Sequence, residues 1–598
     1  MEGFRIYFEN ETVFVDKETL IPVKNGNETV YNTVVGKSEI LWKIIQEEKG
    51  ITVTLEAKSD EPLRIKRIDS YVFEKTQINK TDRITFFGRS FTANETRYVH
   101  ELGFDREYTI DCLGLFPSLD GVGVAFAGVS PFDNAYLSVV EKTEKGLLFS
   151  AKTEFTVDSL NNTELVCERV LVSDGVTVDE FLDSYTEHLG RSTFDMPKLT
   201  GWNTWDYYAN KLKPEYIFEN VDALDKLSFK DKLDYIVIDD GWQKDWGDWS
   251  ENDEFACGIA SVAQRILEKG FIPGIWMAPV VVRKTTKTFE EHPEWLLRES
   301  DGEPVCEYNT NYYLDPTIPE VMEFILKNYR YQYDAGYRLF KMDYVSRLLR
   351  VRRFHDPAAT PYGVLKELVG KVKETLGSDA VILGCSLPLE CGADIAPSMR
   401  IGVDIHNYFS HVRAIIQALQ WSWMYNNRIT RIDIDFLIVR GEETADDPEE
   451  VIPPRNEYLP PRMDKQTVDN VGSRVWKHGD RFNAVEAETW ANLVAISGGN
   501  IFLSDRMSKL NEKGIEIIEN SFLLEGENVR PVFLREDKRI ASLWKGDKSF
   551  LIVNWNETPE TFTVRIDEEF TSVKPFEKKD GYVTVSLLPH ESFGGRYI

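Results

Sequence analysis

Asp343 stands at the end of the apolar, strand-like run YRLFKMDYV, and a second such carboxylate, Asp404, ends SMRIGVD about sixty residues later. A carboxylate in apolar surroundings is costly unless it has a partner or a task, so two of them at strand ends read as chemistry before they read as packing. The reaction such a pair suits is cleavage of a glycosidic bond, with one carboxylate attacking and the other delivering a proton. Lys341 lies two residues before Asp343, hence on the same face of an extended strand, with Met342 opposite. A cation there would keep Asp343 ionised, as a nucleophile requires. Asp404 needs the reverse: it must hold a proton until the bond breaks and then recover it from water.

The elements that must position these groups are legible as periodicities. Residues 1–195 alternate apolar and polar residues in short runs such as ITVTLEAKSD and DGVGVAFAGVS, the period-two pattern of a large antiparallel β-sandwich. From about 199 the texture changes to apolar segments separated by helix-like stretches. The apolar segments are TGWNTW, YIVIDDGW, FIPGIWMAP, YRLFKMDYV, AVILGCSLPL, SMRIGVD, IDIDFLIV and NIFLSD. Alternation of this kind predicts a (β/α)8 barrel over 196–523, with a small antiparallel β domain over 524–598. The acidic, proline-rich stretch 441–480 is expected either as a rim folded over the barrel mouth or as an insertion without a role.

In such a barrel the reactive groups sit at the C-terminal strand ends. Here those ends carry Trp205, Asp239 with Asp240, Trp276, Lys341 with Asp343, Cys385, Asp404 and Asp505. Asp239 and Asp240 are adjacent on a strand, so their side chains diverge and could grip two hydroxyls of one sugar, with tryptophans supplying apolar faces. A capped turn or an ion pair is the plainer reading of those aspartates, and core packing that of the tryptophans. The fourth and sixth strands are about 9–10 Å apart, which inward-leaning side chains narrow to a carboxyl separation of about 5–6 Å; that predicts retention of configuration through a covalent intermediate. Asp433 and Asp435, either side of Ile434, are expected to support the barrel top, and Asp505 has no assigned role. Arg347, Arg350, Arg352 and Arg353 are expected to neutralise carboxylates of adjacent loops, and His355 to make structural hydrogen bonds.

Composition excludes several partners. The 598 residues need more than one core, and 99 acidic against 70 basic side chains give a net charge of −29, which repels nucleic acid and anionic lipid. Neither an N-terminal export signal nor a membrane-length apolar run is visible, so a cytoplasmic protein is expected, with self-association into a homo-oligomer left open. The six cysteines form no C-x-x-C pair and no zinc-like spacing with histidine, so neither a disulfide framework, a metal nor a cofactor is expected.

The sequence resembles glycoside hydrolase family 36, the α-galactosidases, through GWNTW, IDDGWQKDWGDW, GFIPGIWMAP with EHPEW, YRLFKMDY, RRFHDPAATP, ILGCSLPL, MRIGVD, IDIDFLIVR and GGNIFLSD, in order over about 200–505. The resemblance implies a β-supersandwich, a (β/α)8 barrel and a C-terminal β domain. It implies a retaining exo-α-galactosidase acting on small α-galactoside oligosaccharides, with Asp343 as nucleophile and Asp404 as acid/base. Asp239 and Asp240 then match the pair that holds the 4- and 6-hydroxyls of galactose. Trp205 and Trp276 match aromatic walls, Lys341 the lysine near the nucleophile, and Cys385 and Arg400 the side of the 2-hydroxyl. Family members often present a tryptophan from the N-terminal domain; residues 83–110 have none and offer Phe86, Phe87, Phe91 or Tyr98. SLPL after Cys385, where relatives tend to have glycine, leaves an α-N-acetylgalactosaminidase open. IDDGWQ is also similar to plant raffinose synthases and so to galactosyl transfer.

Overall fold

The computed structural model describes residues 2–75, 85–89, 96–99, 106–109, 112–117, 121–299, 301–307, 309–351, 353–446, 481–534 and 540–598, with backbone alone for those within 85–112 and for 350. The side chains of Phe86, Phe87, Phe91, Tyr98, Arg350 and Arg352, and residues 447–480 of the acidic stretch, lie outside the described residues.

Among the described residues, the N-terminal part is built chiefly of two antiparallel sheets of six and eight strands. Its alternation is plain in Ser38–Glu47, where Ile40, Trp42 and Ile44 are buried while Glu39 faces solvent. Trp42 organises this core, its ring centroid 5.3 Å from Phe4 and 5.2 Å from Tyr31, with its indole N–H donating to Ser70 O at 2.9 Å. Truncating such a side chain to alanine costs about 3–5 kcal/mol.

A helix, α1 (Val178–His188), leads into the barrel and starts with a capping box in which Thr177 and Glu180 satisfy each other's backbone N–H. Eight parallel strands follow: β1 (Thr200–Asn203), β2 (Tyr235–Ile238), β3 (Ile272–Met277), β4 (Leu339–Met342), β5 (Val381–Gly384), β6 (Ser398–Arg400), β7 (Arg431–Asp433) and β8 (Ile501–Leu503). They pair in sequence order, with β1 also beside β8. Just beyond β7, Leu437 N donates to Phe502 O at 2.7 Å and closes the ring. Each of the eight expected segments contributes one strand.

The outer helices carry the expected apolar stripe. In α2 (Ile259–Glu268), Ile259, Val262, Ala263 and Ile266 are buried, spaced three and four apart. Helices α3 (Pro319–Asp334) and α4 (Pro361–Leu376) both begin with proline at a position where no backbone donor is needed. One unit departs from the regular pattern: β5 connects to β6 through residues 385–397 with only a 3-10 turn, Leu389–Cys391. The N-terminal sandwich takes the helix's place. Phe132 N donates to Glu390 O at 3.0 Å, and the Phe132 ring packs edge-on to Tyr362 of α4 at 5.7 Å. A Cβ on Gly392 would lie 2.8 Å from Pro131, so the chains approach more closely there than a side chain permits. Two further antiparallel sheets close the C-terminal end around Leu543, Phe550, Ile552, Val583 and Phe593. No described helix is long and apolar enough to cross a membrane.

Candidate active site

The apolar runs of the barrel strands stop where the polar side chains begin. Past the end of β2, Asp239 is buried and accepts from Lys341 Nζ at 2.7 Å and Asn203 Nδ2 at 3.0 Å, while its own N–H donates to Thr204 Oγ1 at 2.9 Å. Asp240 turns the other way. One of its oxygens accepts from Gln243 Nε2 and from the Trp246 indole at 3.0 Å. Burial raises its proton affinity, partly offset by those two bonds and the charge of Arg283. The two aspartates, just past the strand end, make separate sets of bonds, Asp239 with barrel residues and Asp240 with the loop that follows it.

Lys341 favours the ionised form of Asp343 through its charge, as its spacing suggests, but makes its hydrogen bond elsewhere. Its ammonium is bonded across the barrel to Asp239. Burial alone would favour the neutral amine, but Asp239 outweighs it and keeps Lys341 protonated. The reason is positional: Lys341 is inside β4, facing the barrel axis, whereas β4 ends at Met342 and Asp343 lies on the turn beyond. Asp343 instead accepts from Trp276 Nε1 at 3.1 Å and from the N–H of Tyr344 at 2.7 Å. Burial raises its proton affinity; Lys341, Trp276 and Tyr344 pull it down, and the negative charge of Asp404 adds to the rise. Tyr344 takes a left-handed conformation (φ 60°), which aims its N–H at that carboxylate. Its ring lies 4.7 Å from Trp246, which in turn packs 5.5 Å from Trp276. Trp205, half-buried past β1, has its N–H held by Asn203 Oδ1 at 2.8 Å.

On the opposite side, Arg400 at the end of β6 is buried, and one of its terminal nitrogens bonds Asp404 Oδ1 at 3.1 Å and Asp435 Oδ2 at 2.7 Å. Burial works against its charge, and Asp435 leads the groups that hold it protonated. Cys385 lies beside it, Sγ 3.9 Å from the other terminal nitrogen. Burial first, then the charge of Asp343, pushes that thiol well above its ordinary range, which removes the thiolate a nucleophile would need. Asp433 and Asp435 are not two rungs of one strand, because β7 ends at Asp433 and Asp435 has φ 82°. Asp433 is held by Asn500 at 3.1 Å and Asp435 by Arg400. Asn203, Lys341, Cys385, Arg400, Asp433 and Asp435 line one small cavity. A groove of about 860 Å³ on the outer wall between α3 and α4 contains none of these groups.

Asp505 acquires partners. Arg440 bonds it at 3.0 Å and Asp206 at 2.5 Å, and His406 Nδ1 reaches Asp206 at 2.5 Å. Burial opposes ionisation of Asp206, but Arg440 and His406 hold it at about 2. The network ties the tops of β1, β6, β7 and β8 together next to Asp404. Arg347 and Arg353 pair with Glu307 at 3.0 Å and Asp158 at 3.6 Å, as loop-neutralising arginines should, and His355 donates its backbone N–H to Asp315 at 2.6 Å. Sequence reasoning passed over Trp246, Tyr344 and Arg440. Trp246 was open to discovery, since it follows Asp240 closely in IDDGWQKDW.

Residues 177–347 match the melibiase family model. The α-galactosidase of Escherichia coli is 27% identical over 136 residues, 21% of this chain and 18% of that protein. Alpha-galactosidase C of Emericella nidulans is 27% identical over 228 residues, 33% of this chain and 29% of its own length. The chain thus aligns with less than a third of the length of these curated relatives. Among solved structures, the family 36 α-galactosidase AgaA of Geobacillus stearothermophilus superposes with a TM-score of 0.63 at 12% identity, covering 100% of this chain and 89% of AgaA. TtGalA of Thermus thermophilus, with p-nitrophenyl α-D-galactopyranoside, gives 0.56 at 18% identity, covering 84% and 96%. At such identities the structures show a common fold.

Proposed function

We propose that this chain, a relative of the glycoside hydrolase family 36 α-galactosidases by motif, family model and fold, is a retaining exo-α-galactosidase acting on small oligosaccharides in the cytoplasm. The observation that carries the reading is that Asp343 and Asp404, from different strand ends, lie close enough that the charge of one alters the proton affinity of the other. Asp239 and Asp240 stand beside them, each fixed by its own donors. The TtGalA and AgaA structures contain stachyose and raffinose, which supports α-galactosides of that size as substrates to try.

In the first step the Asp343 carboxylate attacks the anomeric carbon, the glycosidic bond breaks, and Asp404 delivers its proton to the departing oxygen. Trp276 and the Tyr344 N–H hold the attacking carboxylate in place while burial keeps it basic. In the second step Asp404, now ionised, takes a proton from water as that water displaces Asp343 from the sugar. Two inversions restore the α configuration. Lys341 fixes Asp239, and its charge also favours the ionised form of Asp343.

A panel of nitrophenyl α-glycosides tests reaction and sugar together. Release from the galactoside, with the glucoside and N-acetylgalactosaminide at least about tenfold slower, is expected. Preference for the N-acetylgalactosaminide, or no release from any of the three, would overturn the reading, and transfer exceeding hydrolysis with sucrose as acceptor would replace it with a transferase.

A further inference from the structure

A pocket of about 360 Å³ opens at the other end of the barrel, where the strands begin. Three parts of the chain build it. Arg191 comes from the segment between α1 and β1, Trp423 and Arg428 from the turn that leads into β7, and Arg530 and Lys545 from two paired strands of the C-terminal domain, Val529–Val532 and Leu543–Gly546. Catalytic groups of such a barrel gather at the C-terminal strand ends, so this pocket lies on the face away from Asp343 and Asp404.

Its walls are cationic on a chain whose net charge is −29. Arg191, Arg428, Arg530 and Lys545 line it against one acid, Asp547, whose Oδ1 accepts from the backbone N–H groups of Glu527 at 2.9 Å and Asn528 at 3.2 Å. Arg530 has aspartates of its own, Asp183 at 3.0 Å and Asp179 at 3.2 Å. The other three cations have no carboxylate partner among the described residues. Arg428 spends Nε and Nη2 on the carbonyls at the end of α1, Leu189 O at 3.3 and 3.1 Å and Glu187 O at 3.2 Å, and its Nη1 makes no hydrogen bond among the described residues. Lys545 donates to the carbonyl of Arg565 at 3.1 Å. Burial first, then the charge of Arg191, lowers the proton affinity of Arg428, and Glu187 offsets them only in part. The neutral donors in the wall, Asn427 and Thr186, are spent on the carbonyls of Glu527 and Leu182 at 2.7 and 2.6 Å. What the pocket has left to offer a ligand is positive charge. The groove between α3 and α4 differs, because Glu323, Asp356 and Glu367 line it together with Lys327 and Arg330.

We propose that this pocket binds a small phosphate-bearing anion through Arg191, Arg428 and Lys545, and that the bound anion ties the barrel to the segments on either side of it. Guanidinium groups donate in pairs to phosphate oxygens, and an ammonium adds a compact point charge. A volume of about 360 Å³ is at the lower end of small-molecule sites, which suits a phosphorylated monosaccharide or pyrophosphate. The proposal is independent of the reaction assigned to Asp343 and Asp404.

Calorimetric titration with inorganic pyrophosphate at low ionic strength tests it, with glucose 6-phosphate and citrate as further probes. The proteins compared are wild type, Arg191→Gln, Arg428→Gln, Lys545→Gln and, for a cation outside the pocket, Arg330→Gln. Pyrophosphate should bind at one per chain. Each pocket substitution removes charge-assisted hydrogen bonds and should weaken that binding by about tenfold or more, whereas Arg330→Gln should leave it unchanged. Added salt should weaken it too, and saturating pyrophosphate should raise the Tm of wild type more than that of Arg191→Gln. No saturable binding of pyrophosphate or glucose 6-phosphate at millimolar concentration, or equal binding by wild type and the pocket variants, overturns the proposal. Citrate bound more tightly than either phosphate compound overturns the phosphate assignment and makes the site one for polycarboxylates. Arg428 also holds the end of α1, but Arg191 is exposed and Lys545 half-buried, so their variants decide the matter even if Arg428→Gln does not fold.

Discussion

Trp276→Phe isolates one hydrogen bond at the attacking carboxylate. The indole N–H donates to Asp343 Oδ2 at 3.1 Å, and the Tyr344 N–H, on the other oxygen at 2.7 Å, remains in the variant. Phenylalanine keeps the backbone carbonyl that Trp242 Nε1 reaches at 3.2 Å and much of the ring packing against Trp246 and Trp249. A hydrogen bond to a charged acceptor contributes about 1.5–3 kcal/mol. At about 1.4 kcal/mol per pKa unit, its loss should raise the proton affinity of Asp343 by roughly one to two units. Burial already raises the proton affinity of Asp343, so the shifts act in the same direction. The ionised form is the reactive one, hence the acidic limb of kcat/KM should move to higher pH while the plateau changes little. The assay is hydrolysis of dinitrophenyl α-galactoside, which does not depend on the acid, from about pH 4 to about pH 9. Thermal melts at the plateau pH account separately for the smaller ring. An acidic limb that does not move, or moves down, in a folded variant would refute the assignment of Trp276 as a donor that keeps Asp343 ionised.

Other perturbations have equally definite outcomes. Asp343→Ala should lose nearly all turnover, whereas Asp404→Ala should keep the first step for aryl galactosides with good leaving groups and stall in the second, visible as a burst; equal losses whatever the leaving group would count against these roles. Lys341→Met strands the buried Asp239 with Asn203 as its side-chain donor, and should cost about 3–5 kcal/mol in denaturant unfolding, against less than about 1 kcal/mol for an exposed lysine. His590 links the C-terminal domain to the barrel, its ring nitrogens 2.6 Å from Glu486 and 3.1 Å from Glu557. Burial alone would lower its pKa, but the two carboxylates raise it. The stabilisation is then full below the unfolded value near 6.5 and is lost as pH rises through the higher folded value. The melting temperature of wild type should drop by roughly 1–2 °C more than that of His590→Gln across that window, and parallel curves would refute the clasp.

The parts of the fold legible in the sequence are those set by local period. All eight barrel strands were placed because strands covered on both faces read as short apolar runs such as YIVI, and their polar side chains cluster just past the strand ends. The missing helix between β5 and β6 was less visible, although the thirteen residues 385–397 between Gly384 and Ser398 leave little room for one. Its replacement by Phe132 and Pro131 is a contact between distant parts of the chain, with no local signature. The same limit applies inside the site. Spacing correctly put Lys341 on the inner face of β4, but whether it reached Asp343 or Asp239 depended on where β4 stopped. Arg400 was identified by motif, while its choice of Asp435 over Asp404 as the closer partner depends on the left-handed turn at Asp435. Pairings of charged groups across a barrel are decided by strand termini, and those are the least certain feature of any sequence.

The central claim is that Asp343 and Asp404 act on one sugar in two successive displacements. Proton NMR of the galactose released in the first moments of hydrolysis, before the anomers equilibrate, tests it most directly. α-Galactose should appear first and then decay toward the equilibrium mixture; β-galactose appearing first would mean a single displacement and would contradict the account.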